Sequence, residues 1–210
     1  MNKIEFNTHW SSLHGGAEVK GIVKAWLAIS YRSAKVATIL RISPNLLTIS
    51  GVIFAMAMAL NPLSIWCIPL LVISLFADGI DGSVAIVQGK ASPWGAVLDA
   101  VADRISEALW FYVAYEIGAP AWVVLGAFVI ASTQEYARAR LAGLGIGDVG
   151  VVTPAERPVR ASFIFVALVA YAIGLDLAGL IIGALFLLQV ISFFLVSRWA
   201  YHRLRNDFSA

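Results

Sequence analysis

Four aspartates stand in otherwise apolar sequence: Asp78, Asp81, Asp99 and Asp103. They occur in two short runs, Asp78-Gly-Ile-Asp81-Gly82-Ser-Val-Ala85 and Gly95-Ala-Val-Leu-Asp99-Ala-Val-Ala-Asp103. Spacings of three and four put each pair on one face of a helix. A carboxylate within a bilayer costs a few kcal/mol or more, so such residues are rare and mark function. Clustered carboxylate oxygens repel one another and suit hard divalent cations such as Mg²⁺ or Mn²⁺. Two ions about 4 Å apart can clamp a phosphoryl transfer. Gly82 and Ala85 lie within about one turn of Asp81, and small residues there let a ligand approach the backbone. An ion pathway uses the same residue type. It also needs polar residues on both sides of its site, whereas the outer halves of the expected spans are nearly free of charge, with Glu116 and Asp176 near the outer rim.

The surrounding sequence says what must position these groups. The chain has 210 residues, 60% hydrophobic, with a mean hydropathy of +0.83. This predicts an all-α polytopic membrane protein of six transmembrane helices. The expected spans are 45–62, 64–87, 94–117, 120–142, 159–175 and 178–200. The turns at Asn61-Pro62, Gly118 to Pro120 and Gly174 to Asp176 carry no Lys or Arg, whereas the other connections carry nearly all of them. The positive-inside rule then places both termini in the cytoplasm. The domain reading is a cytoplasmic segment over 1–42, a transmembrane catalytic domain over 43–205 and a tail over 206–210. Residues 2–16 are polar and lack a signal-peptide pattern. Residues 18–40 read as an interfacial amphipathic helix, with Lys20, Lys24, Arg32 and Lys35 on one side and Ile22, Trp26, Ile29, Val36 and Leu40 on the other. Cys67 is the one cysteine, so no intrachain disulfide forms. His9, His14 and His202 form no ligand set, and the dispersed basic residues exclude a nucleic-acid surface.

The acidic run resembles the CDP-alcohol phosphotransferase motif: D-x-x-D-G-x-x-A-R, eight residues, then G-x-x-x-D-x-x-x-D. Asp78, Asp81, Gly82, Ala85, Gly95, Asp99 and Asp103 match at the motif spacing, and Ile86 stands at the motif arginine. The resemblance implies an enzyme that moves a phosphatidyl group from CDP-diacylglycerol to an alcohol and releases CMP. It implies two divalent ions, Mg²⁺ or Mn²⁺, held by Asp78, Asp81, Asp99 and Asp103, with Asp103 also the general base. It further implies a homodimer in a bacterial inner membrane. Ile86 motivates a rival class, a non-catalytic lipid-binding paralogue.

Two further segments resemble the bacterial phosphatidylinositol phosphate synthases of that family: Leu98 to Glu107, and Ala137-Arg138-Ala-Arg140 with Glu156-Arg157-Pro158-Val-Arg160. A helix N-terminus beside guanidinium groups binds phosphate well. Arg138, Arg157 and Arg160 are therefore the expected ligands of a phosphorylated polyol acceptor, inositol 1-phosphate first. Tyr136 stands where such synthases tend to carry Lys, which keeps glycerol 3-phosphate, and so a phosphatidylglycerophosphate synthase, as the alternative. Pro44-Asn45-Leu-Leu-Thr48 resembles the family segment that lines a cytidine pocket. Asn45 and Thr48 share a face and carry groups able to meet a cytosine edge, so Asn45, Thr48, Gly82 and Ala85 are the expected CDP-lipid contacts. Ser43 before Pro44 also reads as a helix start. Glu135 and Arg138 can pair, and Arg104 can partner Glu107 or a neighbour, or contact a phosphate.

Overall fold

The computed structural model describes residues 1–13, 16, 18–146 and 150–207. His14 and the last residues of the expected tail, 208–210, lie outside them. The described residues form eight helices and no strand: α1 (Lys3–Leu13), α2 (Gly21–Ile39), α3 (Pro44–Leu60), α4 (Cys67–Gln88), α5 (Pro93–Glu116), α6 (Ala121–Gly143), α7 (Arg157–Ala172) and α8 (Ala178–Asp207). Each expected span coincides in position with one of α3 to α8. Among the described residues, α4 and Ala178–Arg205 of α8 are long and apolar enough to cross a membrane. A third span is possible if Val23–Ile39 and Pro44–Leu60, bent by 107° at their break, count as one. The chain divides into two compact units, Met1–Ala57 with Pro69–Ser106, and Met58–Ile68 with Glu107–Ala210.

In the first unit, α1 occupies the stretch expected to be merely polar. Its signal is a capping box: the Asn2 side-chain oxygen Oδ1 accepts from the backbone amides of Ile4 and Glu5, each at 2.9 Å, and the Asn2 backbone amide donates to Glu5 Oε2 at 2.9 Å. Phe6 is fully buried and packs with Leu27 of α2 and Ile86 of α4. The Tyr31 hydroxyl donates to the Met1 carbonyl at 3.0 Å, and the Phe6 and Tyr31 ring centroids lie 5.2 Å apart.

Helix α2 buries Leu27, Ser30, Ala34 and Ala37, while Trp26, Ile29, Val36 and Leu40 of the expected apolar stripe are exposed. It ends in a Schellman motif, in which the Ile42 amide donates to the Ala37 carbonyl at 2.9 Å and the Arg41 amide to the Thr38 carbonyl at 3.1 Å. Arg41 takes the left-handed position with φ 57°, where most such motifs place glycine. Ile42 packs against the cluster of Ala34, Ala37 and Val84, and its carbonyl accepts from Gln88 Nε2 at 2.8 Å. Ser43 caps α3 as expected, its hydroxyl accepting from the Leu46 amide at 3.2 Å. Helix α3 meets α4 at Gly51, whose carbonyl accepts from the Ser74 hydroxyl at 2.7 Å. A Cβ at position 51 would lie 3.2 Å from the Ser74 carbonyl and 3.6 Å from the Asp78 Cβ. The small residue thus sets the close approach of these helices beside the first aspartate.

In the second unit, α8 packs on α6 and α7. Gln189 Nε2 donates to Gln134 Oε1 at 3.0 Å, both side chains fully buried, as apolar surroundings require of polar groups. The Ser192 hydroxyl accepts from the Ala155 amide at 3.0 Å, tying the loop before α7 to α8.

Candidate active site

The sequence pairs fall as their spacing requires, Asp78 and Asp81 on α4, Asp99 and Asp103 on α5. Asp78, Asp99 and Asp103 converge: each offers a carboxylate oxygen, and these lie within 4.8 Å of one another at half-buried side chains. Three carboxylates at that separation repel unless a cation stands between them, and an all-oxygen donor set is what Mg²⁺ or Mn²⁺ takes. The residues therefore fit a divalent ion.

Asp81 departs from the expected set of four. It is 6% exposed, accepts from the Thr48 hydroxyl and from the Gly82 amide, and is not among the three converging carboxylates. Thr48 sits one turn into α3, which begins at Pro44, so the first helix of the site orients the second aspartate of the motif. Asp103 also lies 3.8 Å from Arg104, which supplies the local cation expected for Glu107 or a neighbour.

Beside the triad lies a cavity of about 680 Å³. All four expected CDP-lipid contacts, Asn45, Thr48, Gly82 and Ala85, line it together with Asp81 and Asp99. Asp99 thus belongs both to the carboxylate triad and to the cavity wall. A Cβ at Gly82 would meet nothing within 4 Å, so the glycine leaves open space at the wall. Ile86 lines the same cavity and is 5% exposed, packed on Phe6 and Leu27. Trp10 and Leu13 of α1 and Trp26 of α2 also line the cavity, and none of them was legible in the sequence as a site residue.

The second unit holds the three expected acceptor arginines, and carboxylates hold Arg138 and Arg160. Arg138 donates to both Glu156 oxygens, at 2.7 and 2.8 Å, and to the Val151 carbonyl at 3.0 Å. The expected Glu135–Arg138 pair is present at 3.7 Å. Arg160 is 1% exposed, bonded through Nε to Glu107, and donates to the Ala155 carbonyl at 2.6 Å. Its other terminal nitrogen lies 3.5 Å from Glu135. Arg157 lies over the Trp110 ring, 5.1 Å from its centroid, a favourable place for a guanidinium. Glu107 and Glu156, which orient Arg160 and Arg138, were missed because their partners lie far away in sequence. Burial pushes the Glu156 carboxyl up, but hydrogen bonds from Arg138 and from the Thr153 amide and hydroxyl outweigh it and hold the group down at about 2.

An aspartate triad on two neighbouring helices, beside a cavity that reaches one of its members, is a site that fits a divalent cation next to a ligand-sized space. The chain belongs to the CDP-alcohol phosphatidyltransferase family, whose model matches residues 41–197. It is similar to the phosphatidylinositol phosphate synthase of Mycolicibacterium smegmatis, at 32% identity over 65% of this chain and 65% of that one. It is also similar to the synthase of the same name from Corynebacterium glutamicum, at 33% identity over 70% of this chain and 68% of that one. The archaetidylinositol phosphate synthase of Pyrococcus horikoshii is 30% identical over 76% of this chain and 87% of that one. The match thus spans just under two thirds of the M. smegmatis relative's length and more of the other two.

Proposed function

We propose that this protein transfers a phosphatidyl group from CDP-diacylglycerol to inositol 1-phosphate and releases CMP. The observation that carries the reading is the position of Asp99, shared by the carboxylate triad and by the cavity that Asn45, Thr48, Gly82 and Ala85 line. The relatives' names, all of inositol phosphate synthases, favour that acceptor over glycerol 3-phosphate.

In this mechanism Asn45 and Thr48 meet the cytosine edge, and Gly82 and Ala85 leave room for the pyrophosphate against the α4 backbone. Asp78, Asp99 and Asp103, with Asp81 beside them, would hold two divalent ions, Mg²⁺ or Mn²⁺. When bound, such ions neutralise charge on the pyrophosphate and on departing CMP. Asp103 takes the proton from the acceptor hydroxyl as its oxygen attacks the phosphatidyl phosphorus and the bond to CMP breaks. Arg138, Arg157 and Arg160 hold the acceptor phosphate, with Glu156 and Glu107 fixing the first and last of them in orientation.

Helices α3 to α8 serve as six transmembrane spans of a bacterial inner-membrane enzyme, with both termini cytoplasmic, and the protein works as a homodimer. The exposed apolar residues of α2, Ile29, Val36, Ile39 and Leu40, suit a helix lying in the interface.

The test is CMP release from CDP-diacylglycerol by the purified enzyme in detergent micelles with Mg²⁺ or Mn²⁺. Inositol 1-phosphate, glycerol 3-phosphate and free inositol are offered in turn. Turnover is expected with the first and is lost with chelator or in Asp99→Asn. Turnover with glycerol 3-phosphate alone reassigns the acceptor, and Asp99→Asn at wild-type rate removes the metal site.

A further inference from the structure

The motif arginine that this chain lacks and the N-terminal helix that the family model does not cover meet at one place. Ile86 stands at the arginine position, and its buried side chain packs against Phe6 of α1. The family model begins at residue 41, so α1 and α2 are outside it. Phe6, Trp10 and Leu13 are spaced as one stripe of a helix, and the rest of α1 is largely polar, from Lys3 and Glu5 to Ser11 and Ser12. Phe6 is fully buried between Leu27 and Ile86. The next residues of the stripe, Trp10 and Leu13, line the cavity with Asn45, Thr48 and Asp99. An arginine at 86 would place a guanidinium against the Phe6 ring and Leu27, where a buried charge is costly.

We propose that α1 is a built-in cap of the nucleotide cavity, seated on Ile86 through Phe6, with the Trp10 indole as the face on which the cytosine ring stacks. This deepens the CDP-diacylglycerol reading and rests on it. The base is favoured over the acyl chains because the cap is a polar helix and because Asn45 and Thr48, the groups suited to a cytosine edge, line the same cavity. A flat π-face beside hydrogen-bonding groups is a common way to hold a single base. Trp26 adds a second indole to the wall: a Cβ at Gly79, between the first two motif aspartates, would fall 2.8 Å from its Cζ2. In this arrangement Ile86 is a positioning residue that acts through α1, and the missing arginine is not a lesion of the site.

The experiment measures CDP affinity by calorimetry and CMP-release kinetics, both on the full chain. Trp10→Ala is expected to weaken CDP binding and raise the KM for CDP-diacylglycerol about tenfold, as loss of one stacked base does. The KM for inositol 1-phosphate and kcat should stay near wild type, and Trp10→Phe should restore CDP affinity. Ile86→Arg should match Trp10→Ala in its loss of CDP affinity, and Ile86→Leu should not. Adding Trp10→Ala to Ile86→Arg should then cost nothing further, and a parallel cycle with Phe6→Ala should behave alike. Unchanged CDP affinity in Trp10→Ala, or additive losses in both cycles, overturns the cap. A wild-type chain that binds CDP but releases no CMP overturns the transferase reading alone, and the Trp10→Ala affinity still decides for or against the cap. A chain that binds no CDP overturns both.

Discussion

Gly82 and Glu156 show how much one position can decide. A methyl group at Gly82 meets no neighbouring atom within 4 Å, so the fold accepts it, yet it protrudes at the cavity wall. Gly82→Ala is expected to keep the melting temperature, or raise it slightly since helical alanine is favoured over glycine by about 1 kcal/mol. It should also raise the KM for CDP-diacylglycerol several-fold. An unchanged KM would show that the pyrophosphate does not pass over this backbone. Glu156 carries a pH signature. Its carboxyl is lowered from 4.5 to about 2 in the folded protein, chiefly by Arg138 and Thr153 against the opposing effect of burial. A depressed folded-state value means the contribution to stability is present above the unfolded value and lost as pH falls through the folded one. Melting temperature should therefore fall between about pH 4.5 and pH 2. Glu156→Gln should start lower and lose less across that window, and parallel slopes for the two proteins would refute the assignment.

Elements are held by a few long-range ties. Helix α7 begins at Arg157, and Arg160 in its first turn reaches Glu107 on α5 and Glu135 on α6 within the second unit. Both Arg160 and Glu107 are essentially without exposure. Removing one partner of such a pair leaves the other charge buried alone, at a cost of about 3–5 kcal/mol, whereas replacing both with well-packed apolar residues can be nearly neutral. Arg160→Met should thus lower thermal stability sharply, and Glu107→Leu in the same chain should recover most of it. If the double variant is stable but has lost turnover specifically through a raised KM for inositol 1-phosphate, Arg160 serves the acceptor as well as the fold. A double variant with wild-type kinetics restricts it to the fold.

At the scale of the whole molecule, the membrane topology is the claim most open to direct measurement. Cys67 is fully buried, its Sγ 3.2 Å from the Asn61 carbonyl and 3.4 Å from the Pro62 carbonyl, so the wild-type chain should not react with an impermeant maleimide. Lys90→Cys and Asp176→Cys lie in connections of opposite charge character, basic and uncharged by Lys or Arg respectively. In sealed right-side-out vesicles Asp176→Cys should label and Lys90→Cys should not; inverted vesicles should reverse the pattern. Labelling of both from one side would break the six-span arrangement.

What the sequence by itself determined follows from local rules. Helical period and apolar length placed α3 to α8, Ser43 announced its cap, and the spacing of Asp78, Asp81, Asp99 and Asp103 put each pair on one helix face. The family motif is local too, and so was read residue by residue. What only the tertiary structure decided concerns partners far apart in the chain. Sequence spacing treats Asp81 like the other three aspartates, but Thr48, thirty-three residues earlier, takes it as an acceptor and leaves Asp78, Asp99 and Asp103 as the converging set. Arg138 and Arg160 read alike in the sequence, and the fold pairs the first with Glu156 and the second with Glu107. The exposed apolar stripe of α2 and the burial of Leu27 depend on what packs beside that helix, which no periodicity records. Ile86 is the sharpest case: in the motif it is a missing charge, and in the fold it is an apolar contact for Phe6. A substitution gains its meaning from its neighbours, and here the neighbour is a helix eighty residues away whose local signals were the capping box of Asn2 and Glu5 and the stripe of Phe6, Trp10 and Leu13.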